Sequence, residues 1–167
     1  MLDGGADPIY LARRISRMAI EDIGLADPRA LQLSLSCWDT YTRLGSPEGD
    51  LALAQAVVYL ASAPKSNALY KSFSAARQAV EEHGSLEVPL HLRNASTSLS
   101  KEMGYGEDYR YAHDEEDAFA AGENYLPESI QDEKFYYPQE SGLEIRIKEK
   151  MEHFRQLNEQ AENKRYK

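Results

Sequence analysis

The sequence predicts an all-α fold, an antiparallel helical bundle, on three observations. Up to residue 84 four stretches repeat apolar side chains at helical spacing. Asp-Pro, Ser-Pro or glycine signals bound them, where helices start and stop. The connections are three to five residues long, so consecutive helices fold back on one another. The stretch Glu21-Asp-Ile-Gly-Leu-Ala-Asp-Pro-Arg-Ala-Leu31 shows the logic. Ile23 is the last apolar residue of one pattern, and Gly24 follows where a left-handed cap costs least. Asp27 offers an oxygen to free amides, and Pro28 occupies a first helical position, where a missing N–H is harmless.

The first helix starts at Pro8 behind Asp7 and places Leu11, Ile15, Met18, Ala19 and Ile23 on one side. Arg13, Arg14 and Arg17 lie elsewhere on it, with Glu21 one turn beyond Arg17. The second runs from Pro28 to Leu44, stopped by Gly45. Its apolar residues Leu31, Leu33, Leu35, Cys37, Trp38, Tyr41 and Leu44 exceed one stripe, so it reads as surrounded. The third starts at Ser46-Pro47, carries Leu51, Ala54, Val57, Val58 and Ala61, and stops at Pro64. The fourth begins after Ser66, spaces Leu69, Phe73, Ala76 and Val80 along one face, and ends at Gly84.

Beyond Ser85 the pattern changes. Leu86, Val88, Leu90 and Leu92 alternate with polar residues and proline, which reads as an extended edge segment. Asn94 is placed to cap a short helix ending at Gly104, and Asp114 a brief one reaching Gly122. At most one short β-hairpin, around Lys134 to Tyr137, fits the rest. So long an irregular stretch, rich in tyrosine, suits a surface wrap or an interface. Ser141-Gly-Leu-Glu144 reads as a capping box opening a last helix with Leu143, Ile147, Met151, Phe154 and Leu157 on one face. From Glu159 the chain is polar and is expected to fray. The organisation is one domain: a four-helix core at 1–84, an acidic irregular wrap at 85–141 and a C-terminal helix at 142–160.

With 167 residues the chain can bury one core, and its net charge of −9 is unevenly placed. Residues 81–142 hold fifteen acids against four bases, a poor surface for a phosphate backbone and a good one for a basic partner. No apolar run approaches the roughly 20 residues that cross a bilayer, so no membrane partner is expected. The start does not resemble a signal peptide. A single cysteine, Cys37, excludes an internal disulfide and reads as a small buried apolar residue.

The chemical constellations are sparse. No glycine-rich loop is followed by lysine and a hydroxyl residue, and Gly104-Tyr-Gly106 lacks both that lysine and a preceding strand. No Gly-x-Ser-x-Gly elbow occurs. His113-Asp114, followed by Glu115, Glu116 and Asp117, is the one candidate for a His-Asp metal phosphohydrolase. The plainer reading makes these acids companions of a helix start. Neither a catalytic residue nor a cofactor or metal ligand is assigned. Tyr105, Tyr109, Tyr111, Tyr125 and Tyr136, with Leu90 and Leu92, are candidates for an oligomer interface, where tyrosine suits partial burial. Arg13, Arg14 and Arg17 are candidates for contact with DNA or a partner protein.

Several blocks together resemble one family. They are Asp7-Pro8 with Ala12-Arg13-Arg14, the stretch from Glu21 to Leu31, and Pro47-Glu-Gly-x-Leu-Ala-Leu-Ala-Gln55. Ala63-Pro-Lys-Ser-Asn-Ala68, Val88-Pro-Leu-His-Leu-Arg-Asn94 and Gly104-Tyr-Gly106 with Tyr111-Ala-His113 follow. Asn124-Tyr-Leu-Pro127 and Gly142-Leu-Glu-Ile145 complete the set. In this order they resemble the C-terminal region of the replication-associated recombination protein A (MgsA) family. These are AAA+ ATPases of the clamp-loader clade, related to the Werner-helicase-interacting proteins.

The resemblance implies an all-helical domain like the oligomerising collar of clamp loaders, here building a homotetramer. It implies that ATP and magnesium bind in an ATPase domain whose motifs are not in this sequence, so no ATP-site residue carries over. It also implies a cytoplasmic, nucleoid-associated parent that acts at stalled replication forks. That parent would meet DNA and possess single-stranded-DNA-binding protein as a partner.

Overall fold

A computed structural model describes residues 1–166, the side chain of Glu116 excepted. Among them every regular element is helical and none is a strand. The chain divides into two compact units, Met1–Ala76 with Phe135–Lys148, and Arg77–Lys134 with Glu149–Lys167.

In the first unit α1 spans Pro8–Met18, α2 Arg29–Leu44 and α3 Asp50–Ser62, and these three pack on one another. The Asp7 carboxylate caps α1 by accepting from the amides of Ile9 and Tyr10. Its buried side is Ala12, Ile15 and Ser16, continued by Ala19 and Ile23. Met18, expected on that side, is exposed, being offset on the helix from the row Ala12, Ile15, Ser16, Ala19 and Ile23 that is buried. From Ala19 to Ile23 the helix widens into a π turn. Gly24 closes it at φ +52°, ψ −129°, outside the left-handed helical region and tolerable for glycine alone.

Asp27 then performs the role its sequence position announces. It accepts from the Arg29 amide at 3.2 Å, from the Arg29 guanidinium at 2.8 and 3.0 Å, and from the Tyr59 hydroxyl at 2.7 Å. The guanidinium foremost, and the phenol with it, hold this buried carboxyl below the usual aspartate range. One side chain thereby ties the α1–α2 turn to α3.

Two expectations about α2 and α3 are corrected. α2 buries Ala30, Ser34 and Cys37 but leaves Leu35 and Leu44 exposed, so its own chain does not surround it. α3 begins at Asp50 and not at Pro47, because the Gly49 amide donates to the Gly45 carbonyl at 2.6 Å and closes a turn first. A Cβ on Gly49 would lie 2.7 Å from that carbonyl. α3 buries Leu53, Ala56 and Leu60, while Leu51, Ala54, Val57, Val58 and Ala61, the face expected inward, point out. A helix apolar all round carries no periodic signal to choose a side.

α4 spans Ala68–His83 and starts where Ser66 Oγ accepts from the Ala68 amide. Its stripe Leu69, Phe73 and Val80 is exposed, and only Ala68 is buried. Later in the chain Gly142 sits at φ +53° against the α1–α2 turn, and the Leu143 amide donates to the Ala26 carbonyl at 2.8 Å. A Cβ at 142 would fall 2.2 Å from that oxygen. Gly142→Ala is therefore expected to lower stability by about 2–4 kcal/mol, through clash, strain and a lost hydrogen bond, read by urea unfolding.

The second unit is mostly turns. α5, Ser98–Glu102, is capped by a reciprocal Thr97–Ser100 box rather than by Asn94. Residues 114–122 hold only short 3₁₀ turns, with Asp117 and Ala118 at positive φ, instead of the expected helix. The 134–137 segment forms no hairpin. α6, Glu144–Gln160, ends in a tail that does not fray: Arg165 and Tyr166 dock onto Glu123 and Leu126. Of the face expected on the last helix, Ile147, Met151, Phe154 and Leu157 are half-buried and Leu143 is exposed, with Phe154 stacked on Phe119 at 4.2 Å between ring centroids.

Candidate interaction surfaces

α3 presents the most unusual surface of the first unit. Between Leu51 and Ala63 there is no charged residue, yet Leu51 is 77% and Val58 69% exposed. Interface centres are depleted of charge in the same way. Beside this face opens a cleft of about 600 Å³. Met18, Ile23, Val57, Leu60 and Ala61 give it apolar walls, and Asp22 and Asn67 stand among its polar lining. Lys65, also on the lining, turns its ammonium to the carbonyls of Leu60, Ala61 and Ala63 and so caps the end of α3.

Below that surface Glu144 is fully buried. It is not the far member of a capping box. Its Oε2 accepts from Ser66 Oγ at 2.8 Å and from the Gln139 amide at 2.7 Å, while Oε1 has no partner among the described residues. The Tyr136 phenol lies against this carboxylate. Burial first, and the adjacent negative charge second, push it up to about 12.

The second unit has its own buried polar centre. Arg165 donates to both oxygens of Glu123 at 2.6 Å, and His91 Nε2 stands 3.6 Å from the same carboxylate. Burial would raise the Glu123 carboxyl, but Arg165, the Asn124 amide and His91 outweigh it and hold the group below its usual range. Nothing in the sequence pairs residues 123 and 165. The late Arg-Tyr in an otherwise polar tail is the only signal, and it is weak.

The candidate interface residues separate. Tyr136 belongs to the first unit, whereas Leu90, Leu92, Tyr105, Tyr109, Tyr111 and Tyr125 belong to the second. There Leu90, Tyr109, Tyr111 and Tyr125 are exposed, and Leu92 and Tyr105 are half-buried, with the Arg93 guanidinium over the Tyr105 ring. Arg13, Arg14 and Arg17 are exposed on α1, and Arg17 is held by Glu21 at 2.7 Å. Among the described residues no three His, Cys, Asp or Glu side chains converge as a metal requires. The Glu116 side chain, one of the acids after His113-Asp114, lies outside the described residues. No helix of the described residues is long and apolar enough to cross a membrane.

Similarity to known proteins places this architecture. The chain is 65% identical over 160 residues to the replication-associated recombination protein A of Coxiella burnetii, which covers 96% of this chain and 36% of that protein. It is 50% identical over 167 residues to the protein of the same name in Escherichia coli, covering 100% of this chain and 37% of that one. The ATPase WRNIP1 of Dictyostelium discoideum is 45% identical over 136 residues, 81% of this chain and 16% of its own length. The chain thus spans little more than a third of the bacterial relatives named here. A family model described as MgsA AAA+ ATPase C terminal matches residues 1–155, and the chain belongs to that family.

Proposed function

We propose that this chain is the homo-oligomerisation module of a AAA+ ATPase that works in replication-associated recombination, and that it builds a tetramer. The observation that carries the reading is the charge-free, exposed apolar face of α3. Contiguous exposed apolar surface of that kind marks a site of interaction. Catalysis in this reading lies elsewhere. ATP and magnesium bind in a preceding ATPase portion, and this part contributes no residue to that chemistry. The parent acts at stalled forks in the cytoplasm, associated with the nucleoid, and meets DNA and single-stranded-DNA-binding protein there. The names borne by the bacterial relatives support the setting.

Light scattering behind gel filtration tests the reading at micromolar concentration. The expected result is a particle with the mass of four 18.9 kDa chains. A particle of one chain would overturn it. A second reading, contact with DNA or a partner through Arg13, Arg14 and Arg17, rests on their shared exposure on α1. Its mark would be steeply salt-dependent binding to forked DNA.

A further inference from the structure

We propose that a cleft in the second unit, walled by residues 87–93, the turn at 104–108 and Pro127-Glu128, binds a lysine- or arginine-rich segment of a partner protein. The inference goes beyond the oligomerisation reading and does not depend on it. A space of about 430 Å³ opens there. Hydrogen bonds fix its walls. The Gly106 amide donates to the Leu90 carbonyl at 2.9 Å, and the Tyr166 hydroxyl donates to the Leu126 carbonyl at 2.9 Å. A receptor held in this way is formed before its ligand arrives.

The chemistry of the lining selects a cation. Both guanidinium groups in it are already spent. Arg93 donates to Glu87 and to the Val88 carbonyl, each at 2.6 Å, and Arg165 donates to Glu123 and to the Asp108 carbonyl. The exposed carboxylates of Glu107, Asp108 and Glu128 line the same space, and among the described residues none of them accepts a hydrogen bond or forms an ion pair. His91 is an independent sign. It lines the cleft while only 7% exposed, and its Nε2 stands 3.1 Å from the Asn124 carbonyl. A carbonyl only accepts, so in the neutral ring Nε2 carries the proton and Nδ1 is an acceptor, without a partner among the described residues. An acceptor left unpaired on a nearly buried ring has a cost that an entering donor removes. The surplus in this cleft is of acceptors alone, and ammonium and guanidinium are the side-chain groups that only donate.

The apolar part of the lining fits the same ligand. Val88 and Leu90, each about half exposed, and Pro127 stand beside these acceptors. The aliphatic stem of a lysine or arginine lies along such a surface while its head reaches the carboxylates. A divalent metal ion does not fit, because among the described residues no three His, Cys, Asp or Glu side chains converge. A nucleic-acid backbone is repelled, since residues 81–142 around the cleft carry fifteen acids against four bases. A single small amine gains little from exposed carboxylates. A segment with several cations meets all three at once and is steered to them by the field of the region.

The test uses the 167-residue chain and a fluorophore-labelled oligolysine peptide as probe. Glu107→Gln combined with Glu128→Gln is expected to weaken binding by a factor on the order of 10. Both positions are exposed, so helicity by circular dichroism is expected to match the parent chain. Asp3→Asn combined with Glu48→Gln removes the same charge from exposed positions of the first unit and is expected to weaken binding by less than a factor of about two. In the parent chain the ring-nitrogen resonances of His91 are expected to shift when the peptide is added, because Nδ1 gains a donor. Equal weakening by the two pairs of substitutions overturns the proposal, since the peptide then answers only to the general acidity of the chain. Absence of binding at millimolar peptide overturns it too. Selective weakening without a His91 shift also overturns it, because the peptide then meets the rim and not the cleft. Should the Glu107 and Glu128 pair lose helicity, the His91 shift in the parent chain decides alone. Should that pair instead break an oligomer of the chain itself, the occupant is a second copy and the partner-protein proposal falls.

Discussion

Arg165→Ala is expected to destabilise the second unit by about 3–5 kcal/mol, because it strands the Glu123 carboxylate where only 2% of that side chain meets solvent. Glu123 accepts two hydrogen bonds from the guanidinium and one from the Asn124 amide, and without Arg165 only the amide and the neighbouring His91 remain. The same guanidinium donates to the Asp108 carbonyl at 2.8 Å, so the turn preceding Tyr109 loosens too. Equilibrium unfolding in urea reads the loss. Its pH dependence carries a sign. Glu123 titrates lower in the folded chain than in the unfolded one, so its contribution is complete above the unfolded carboxyl range, about 4.3, and fades as pH falls through the folded value. The parent chain should therefore lose stability on acidification below that point, and Arg165→Ala should lose less there, having less to give up.

That pair shows what a sequence hides. Forty-two residues separate its members, and neither has a local partner that marks it. Helix starts behave oppositely, because their determinants are local. Asp7-Pro8 and Asp27-Pro28 announce their helices: Asp7 caps α1 as read, while α2 begins one residue later than expected, at Arg29, whose amide donates to Asp27. The Arg17–Glu21 pair one turn apart is formed as read for the same reason. Which face of a helix turns inward is legible only when the other face is polar. α1 satisfies that condition approximately and α3 not at all, hence the reversal of Leu51 and Leu53. α4 is a different case. Its stripe of Leu69, Phe73 and Val80 is a sound amphipathic signal, yet that apolar side is exposed. In the second unit Asp108, Asp117 and Ala118 adopt positive φ, a conformation their identity does not announce, so the turns around them were beyond reach of propensity. Of the candidate surfaces, the tyrosines and arginines were visible by type. The cleft was not, since it is assembled from the ends of α1 and α3 and the segment around Gln139.

Glu144→Ala is expected to cost the first unit about 2–5 kcal/mol, whereas Glu144→Gln should change its stability by about 1 kcal/mol or less. Alanine leaves the Ser66 hydroxyl and the Gln139 amide without their buried acceptor and opens a void at a site with no solvent exposure. Glutamine keeps one oxygen for those two donors and places its amide where Glu144 Oε1 stands, a buried oxygen without a hydrogen-bond partner among the described residues. The two variants separate the shape of the residue from its charge, and Tyr136 reports the charge. Its phenol is held protonated to about 12 in the folded chain against about 10 in an unfolded one. The stabilisation from that difference is therefore whole below about 10 and is lost as pH rises through the folded value. Ultraviolet titration of the phenols should show one tyrosine ionising after the rest. In Glu144→Gln that late step should move toward the others, because the adjacent negative charge is gone while the burial remains. A late step that stays in place would assign the whole shift to burial and remove Glu144 from its cause. The capping-box pattern at Ser141 and Glu144 is then best understood as coincidence in sequence. The glutamate's acceptor oxygen is committed to Ser66, 78 residues away, and to the amide five residues behind it, so the same carboxylate that starts α6 fastens the returning chain to the turn before α4.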